Sequence, residues 1–221
     1  MTCCRPRTTS IALAGFPAAF ALGCLPSARL VSRLLGAGDI AQVGDRKPGA
    51  ANVTRTLGLG PGVATAGLDI AKGAAVAAAA RSAGAGPDLV GALAVTPVVA
   101  HIAIVRGRGA AAALGAALAL DTSATGIVLA PILGGVALKR SGLGVMVGAL
   151  GLPLASLALD RRRTAAWCAA LPALMAYARL RGSADQQQPL SFALAWERFW
   201  FDRDPAGGES ADAASSAPVG G

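Results

Sequence analysis

The chain has 221 residues, of which 54% are hydrophobic and only 14% are charged. Soluble domains carry about 25% charged residues, so this composition excludes an ordinary water-exposed surface and favours a polytopic membrane protein. Lys and Arg number 20 against 12 Asp and Glu, for a net charge of +8, which fits cytoplasmic loops beside anionic lipid. Aromatic residues make up 4% of the chain, and this argues against a nucleic-acid partner, which would need base-stacking side chains.

Uncharged runs predict an all-α fold, a bundle of about seven short transmembrane helices. The helices are expected at roughly 9–32, 57–80, 88–105, 109–121, 123–138, 142–159 and 164–179. A bilayer crossing takes about 20 apolar residues, so most of these helices are marginal spans and 109–121 is the most doubtful of them. Runs of small residues at 73–80 and 110–119 predict close packing between helix backbones.

Basic residues concentrate in alternate loops, which predicts that those loops face the cytoplasm and that the amino terminus lies outside. They are Arg29, Arg33, Arg46, Lys47, Arg55, Arg106, Arg108, Lys139, Arg140, Arg179 and Arg181. The run 161–163, which is Arg-Arg-Arg, breaks the pattern because a seven-helix count places it outside. Either helix 109–121 does not span the membrane, or this short loop is an exception to the charge rule.

The character of the sequence changes after Gly182, so the membrane domain is expected to cover 1–184. Five of the nine aromatic residues fall in segment 185–204, interspersed with charged residues. This pattern predicts a short amphipathic helix in the membrane interface, with a loosely ordered extension as the alternative. The Ala, Gly and Ser residues of 205–221 predict a disordered tail.

The loop at 39–55 has the composition of a phosphate-binding loop. Gly44 and Gly49 permit close backbone approach, while Arg46, Lys47 and Arg55 supply positive charge. An ordinary basic loop held against lipid headgroups would have the same composition. Both interpretations are open on the residues alone.

Three ionisable residues within the predicted helices are candidate functional residues. Asp69 and Lys72 stand three residues apart, hence on one helix face, where each can neutralise the other. Charged groups at membrane depth mark functional or pairing sites, so a purely structural ion pair is the alternative. His101 precedes a second basic, Gly-rich loop with Arg106 and Arg108, and the two loops together suggest an anionic substrate.

The cysteines give no indication of a metal site. The chain has four of them, without a CxxC spacing, and a single His. No metal site is therefore expected.

Four sequence elements occur in the order and spacing of one known family. They are Gly23-Cys24-Leu25-Pro26, then the spaced set Gly44, Gly49, Ala50, Asn52, Val53 and Arg55, then Leu68-Asp69 with Lys72-Gly73, and finally Ala100-His101. Over about 11–184 the chain resembles the bacterial acyl-phosphate:glycerol-3-phosphate acyltransferases, the PlsY family. The spaced first loop makes this resemblance specific.

The resemblance implies an enzyme of phospholipid synthesis in the bacterial plasma membrane. Its substrates would be acyl phosphate and glycerol 3-phosphate, and its product lysophosphatidic acid. It implies no metal and no cofactor, and it implies catalytic roles for Asp69, Lys72 and His101. The phosphate-binding residues implied are Gly44, Arg46, Lys47, Gly49, Asn52, Arg55, Arg106 and Arg108. The oligomeric state does not follow from the sequence.

The chain departs from the family pattern at several polar positions. Asp45-Arg46-Lys47 stands where the family has Ser-Gly-Asn, and a carboxylate there would repel a phosphate. Arg108 stands where a lysine is expected, and Ala173 and Ala176 replace a His and an Asn. Two functions follow as alternatives: an acyltransferase with a rebuilt phosphate site, or an inactive relative that serves as a membrane scaffold or lipid-phosphate binder.

Overall fold

The structure, a computed structural model, describes residues 5–182 and 189–203, and within these ranges it contains α-helices but no strand. The helices are α1 (Arg5–Gly23), α2 (Ser27–Leu34), α3 (Ala50–Leu57), α4 (Leu59–Ser82), α5 (Pro87–Ala100), α6 (Ala110–Leu120), α7 (Thr122–Ala137), α8 (Ser141–Ala158), α9 (Arg162–Leu180) and α10 (Phe192–Trp196). A 3-10 turn, Ile40–Gln42, lies in the first loop. Wide π-type turns, His101–Val105 and Glu197–Phe201, extend α5 and α10.

Six of the seven predicted apolar helices are present with ends within a few residues of those expected, and the first is the exception. The expected helix 9–32 is two helices, α1 and α2, which meet at an angle of 49°. Pro26 causes the break, because it has no N–H to donate and disfavours helical geometry at Leu25. The short helix α3 inside the first loop was not predicted.

The number of membrane crossings is only partly defined by helix length. Within the described residues, Leu59–Ser82, Pro87–Val105 and Ser141–Ala158 are long and apolar enough to span, and the bent α1–α2 pair would make a fourth. Helix α6 has 11 residues, a rise of about 16 Å, which is about half the hydrocarbon thickness of a bilayer. Seven spans therefore stays a prediction, while the all-α class is confirmed for the described residues.

Small residues let α4 and α6 pack backbone against backbone, as the sequence predicts. A Cβ added at Gly73 would collide with the backbone of Ala112, and one at Gly115 would collide with the backbone of Ile70. The alanine-rich face of α6 lies in the buried core. Larger side chains would force these two helices apart.

The end of the bundle at the α6–α7 junction is held by a buried carboxylate. Asp121 is fully buried and caps α7 by accepting a hydrogen bond from Ala124 N at 3.0 Å. It also accepts from Ser156 Oγ at 3.0 Å and forms an ion pair with Arg161. One of the three arginines that depart from the charge pattern therefore neutralises a buried acid.

Candidate functional site

Lys72 forms the centre of a buried polar cluster. Its Nζ atom lies 2.8 Å from Asp69 Oδ1 and 2.8 Å from His101 Nδ1. It also donates to the carbonyl of Leu25 at 2.8 Å and lies 3.4 Å from Ser27 Oγ. Asp69, Lys72 and His101 are each at most 4% exposed. The three residues with expected catalytic roles are thus brought together, and they join α4, α5 and the α1–α2 turn.

His101 connects this cluster to the second basic loop. An ammonium group can only donate, so His101 Nδ1 accepts from Lys72 and the ring proton belongs on Nε2. That nitrogen faces Gly107, where an added Cβ would collide with it. The cluster therefore packs against the loop that carries Arg106 and Arg108.

Asn52 organises the first loop. It is 1% exposed, and its side-chain amide donates to the carbonyls of Ile40 at 3.0 Å and Val43 at 2.9 Å. Its Oδ1 accepts from the backbone N–H of Asp45 at 3.3 Å. Gly44 has φ +63°, and a Cβ at this residue would collide with Asn52 Oδ1. Close packing and backbone geometry thus both require glycine here.

The Asp45 side chain has its partners within the same loop. Its carboxylate accepts from the backbone N–H of Lys47 at 3.2 Å and forms an ion pair with Arg55. The negative charge at this position is therefore matched inside the loop. Arg46 and Arg106 are exposed, with left-handed backbones at φ +54° and +62°.

Gly49 leaves the start of α3 accessible. It is the N-cap residue of that helix and provides no side-chain cap. A Cβ there would meet nothing within 4 Å. Free N–H groups at a helix start favour an anion, so the predicted role of Gly49 in close backbone approach is compatible with its position.

Lys47 and Arg108, from separate loops, converge on one carboxylate. Lys47 Nζ donates to the backbone carbonyl of Asp202 at 2.7 Å and lies 3.4 Å from its Oδ1. Arg108 Nε lies 3.0 Å from the same Oδ1. Arg108 Nη1 also donates to the carbonyls of Ala178 and Arg179. The two cations, both predicted from the sequence, thus form a position that holds an anionic oxygen.

Two buried arginines hold the C-terminal segment 191–203, which contains Asp202. Arg179, at the end of α9, donates to the carbonyl of Phe199 at 2.6 Å and to that of Gly142 at 3.0 Å. Arg198 donates to the carbonyl of Leu180 at 3.3 Å. These arginines are 3% and 4% exposed. Sequence reasoning missed Asp202, because its contact with Lys47 joins positions that are 155 residues apart.

A family model described as glycerol-3-phosphate acyltransferase matches residues 13–186. The chain belongs to the glycerol-3-phosphate acyltransferase family. Its function is therefore acyl transfer to glycerol 3-phosphate, in a membrane-embedded helical protein. A search of the curated proteins finds no significant match.

Two solved structures have a similar fold. Both are crystal structures of PlsY (YgiH), an integral membrane glycerol 3-phosphate acyltransferase, one in its glycerol 3-phosphate form and one in its lysophosphatidic acid form. The first is 27% identical with a TM-score of 0.70, and the match covers 76% of this chain and 88% of that one. The second is 25% identical with a TM-score of 0.69, covering 77% and 88%.

The acyltransferase's departures from the family motifs have distinct structural consequences. Asp45 forms an ion pair with Arg55, and Lys47 forms one with Asp202. Ala173 is exposed on α9 and Ala176 is half-buried, so neither offers a polar contact. Arg179, which survives from the closing motif, is bonded to the C-terminal segment. Within the expected interfacial segment 185–204, the chain is helical over 192–201, and the tail 205–221 lies outside the described residues.

Proposed function

We propose that this acyltransferase is catalytically active and moves a fatty acyl group from acyl phosphate to the 1-hydroxyl of glycerol 3-phosphate, forming lysophosphatidic acid. The observation that carries the proposal is the convergence of Lys47 and Arg108 on a single anionic oxygen. Cationic donors from two loops, aimed at one point, are what a phosphate site requires. We assign them to a substrate phosphate.

The reaction needs positioning more than a dedicated nucleophile. The 1-hydroxyl oxygen attacks the acyl carbonyl carbon, the bond from that carbon to the phosphate oxygen breaks, and the hydroxyl proton leaves with the phosphate. Held phosphates bring hydroxyl and carbonyl together, and cations offset the charge that develops on oxygen. Asn52 contributes by fixing the loop that carries Lys47. The open start of α3 at Gly49 offers backbone N–H groups to a second phosphate oxygen.

In this proposal, Asp69, Lys72 and His101 support the phosphate site and do not contact the phosphate. Their burial and mutual contacts suit a supporting role: Lys72 aligns His101, and His101 packs under Gly107 in the loop of Arg108. Gly44, Arg46, Arg55 and Arg106 line or shape the same two loops. The Arg55 side chain is exposed and has Asp45 to itself, whereas Lys47 and Arg108 are largely buried and share one carboxylate. We therefore expect Arg55 to matter less than Lys47 or Arg108.

The location that fits this chemistry is the bacterial plasma membrane. Both basic loops lie at the same end of the bundle as Arg179, since Arg108 donates to the end of α9. By the positive-inside rule this end faces the cytoplasm, where both proposed substrates would be soluble or presented by the inner leaflet. The amino terminus then lies outside. Residues 1–184 form the membrane domain, in contact with the lipid bilayer.

Phosphate release by the detergent-purified protein tests the proposal. Palmitoyl phosphate and glycerol 3-phosphate should together give release, and Lys47→Gln should raise the KM for glycerol 3-phosphate by about tenfold or more, the value of one charge-assisted bond. Arg140→Gln removes an exposed charge from the turn before α8 and should leave KM unchanged. Retained thermal stability shows that each variant is folded.

A folded protein that binds either substrate but releases no phosphate would contradict the proposal. That result would favour the inactive lipid-phosphate binder. The absence of polar side chains at Ala173 and Ala176 would then be the physical reason.

A further inference from the structure

Asp202 belongs to a part of the chain that the family model does not match, since that match ends at residue 186. Its carboxylate nevertheless lies at the meeting point of Lys47 and Arg108. The side chains of these three residues are 26%, 11% and 13% exposed. The contact is therefore largely shielded from solvent, where opposite charges attract more strongly than at an open surface.

We propose that Asp202 is an intramolecular competitor for the substrate phosphate, and that the C-terminal segment 191–203 thereby sets the affinity of the enzyme for its anionic substrate. The inference rests on the proposed function, because it takes Lys47 and Arg108 as the partners of that phosphate. Both anions require the same donors. One carboxylate and one phosphate cannot occupy the position at once.

The segment is anchored by contacts that do not involve the phosphate-binding cations. Arg179 donates to Phe199 and Arg198 donates to Leu180, in both cases at backbone carbonyls. Gly142 approaches closely as well, since an added Cβ there would come within 2.5 Å of the Phe201 carbonyl oxygen. The Asp202 carboxylate can therefore leave the cations while the segment stays docked.

The substrate phosphate is the stronger competitor for the two cations because it carries more negative charge than the Asp202 carboxylate. A phosphate monoester carries close to two negative charges and three acceptor oxygens, so it can displace a single carboxylate. The binding-competent fraction is the fraction in which Asp202 has left, and apparent affinity falls in proportion to that fraction. Removing the Asp202 charge should therefore tighten substrate binding and leave the chemical step alone.

Asp202→Asn tests this, with Glu197→Gln as the control that removes one negative charge from the same segment. The readouts are KM for glycerol 3-phosphate at saturating palmitoyl phosphate and direct binding of radiolabelled glycerol 3-phosphate to detergent-purified protein. Asp202→Asn should lower KM and the dissociation constant by about fivefold, which corresponds to an Asp202 carboxylate paired with the cations about four-fifths of the time. kcat should change less than twofold, and Glu197→Gln should behave as the unaltered protein.

Tryptophan fluorescence gives a readout independent of turnover. The chain has three tryptophans, so a Trp167→Phe background leaves only Trp196 and Trp200, both in the segment. Glycerol 3-phosphate should change the emission of Trp200, because the carboxylate two residues away leaves the cations when the substrate displaces it. The same addition should have little effect when Asp202→Asn is added to that background, because no docked carboxylate is left to displace.

The outcomes separate the two proposals. Lys47-dependent binding that is equal in Asp202→Asn and Glu197→Gln, with no fluorescence change, would overturn the competition and leave the proposed function standing. Weaker binding in Asp202→Asn would also overturn it, since Asp202 would then be positioning the cations. If no variant shows turnover or Lys47-dependent binding, both proposals are overturned.

Discussion

The role of Asn52 leads to the sharpest mutational prediction. Asn52→Ala removes two hydrogen bonds to the Ile40 and Val43 carbonyls, one from the Asp45 N–H and one, at 3.3 Å, from Thr56 Oγ1. The two carbonyls keep backbone partners, from Val43 N at 3.5 Å and Arg46 N at 3.1 Å. The net value of about 0.5–1.5 kcal/mol for each lost bond therefore applies. The closed loop should lose about 2–3 kcal/mol of stability relative to open forms.

This loss should affect substrate binding more than folding. The loop carries Lys47 but lies outside the main helix core, where the larger apolar cluster is. If the loop opens, a smaller fraction of the protein can bind substrate. KM for glycerol 3-phosphate should therefore rise by at least about tenfold. Phosphate release at varied glycerol 3-phosphate gives KM, and thermal unfolding in detergent gives the stability of the bundle.

Thr56→Ala is the control, because it removes only one contact to Asn52, at 3.3 Å. It should change KM less than threefold, on the order of half a kcal/mol. An Asn52→Ala protein whose KM stays within twofold of the unaltered value would refute the reasoning. So would a loss of bundle stability with no change in KM, since the residue would then act on the fold and not on the loop.

Three further predictions concern the buried cluster and the helix packing. Gly107→Ala places a methyl group against His101 Nε2, and such overpacking costs about 1–3 kcal/mol. Phosphate release should fall at least about tenfold, while size-exclusion chromatography should show that the protein remains folded. Lys72→Met leaves Asp69 buried without its cation and should cost about 3–5 kcal/mol, whereas adding Asp69→Leu should restore part of the thermal stability and none of the activity. Gly115→Leu should disrupt α4–α6 packing and lower the yield of monodisperse protein, whereas Gly126→Ala, at a position where a Cβ meets nothing within 4 Å, should not.

The helices could be predicted because uncharged apolar runs have few alternatives in a membrane protein. Reading the runs by charge alone overlooked Pro26, which splits the first helix into α1 and α2. The spacing of Asp69 and Lys72 placed them on one face, and the structure pairs them at 2.8 Å. Sequence spacing is informative here because the contact is local to one helix.

The site was harder to predict because its contacts join distant parts of the chain. Arg55 has Asp45 as its partner, a choice set by how the loop folds around Asn52. Asp202 meets Lys47 and Arg108 only after α9 and the C-terminal segment have packed. A charged residue in an aromatic segment gives no indication of such a distant partner, so sequence reasoning singled out Lys47 and Arg108 but not Asp202.

The fate of the hydroxyl oxygen tests the central claim most directly. Purified protein is given palmitoyl phosphate and glycerol 3-phosphate labelled with ¹⁸O in its 1-hydroxyl, and the products are analysed by mass spectrometry. Attack of that hydroxyl on the acyl carbonyl predicts lysophosphatidic acid that retains the label and inorganic phosphate that carries none. Unlabelled lysophosphatidic acid, label in the phosphate, or no lipid product from folded protein would contradict the account.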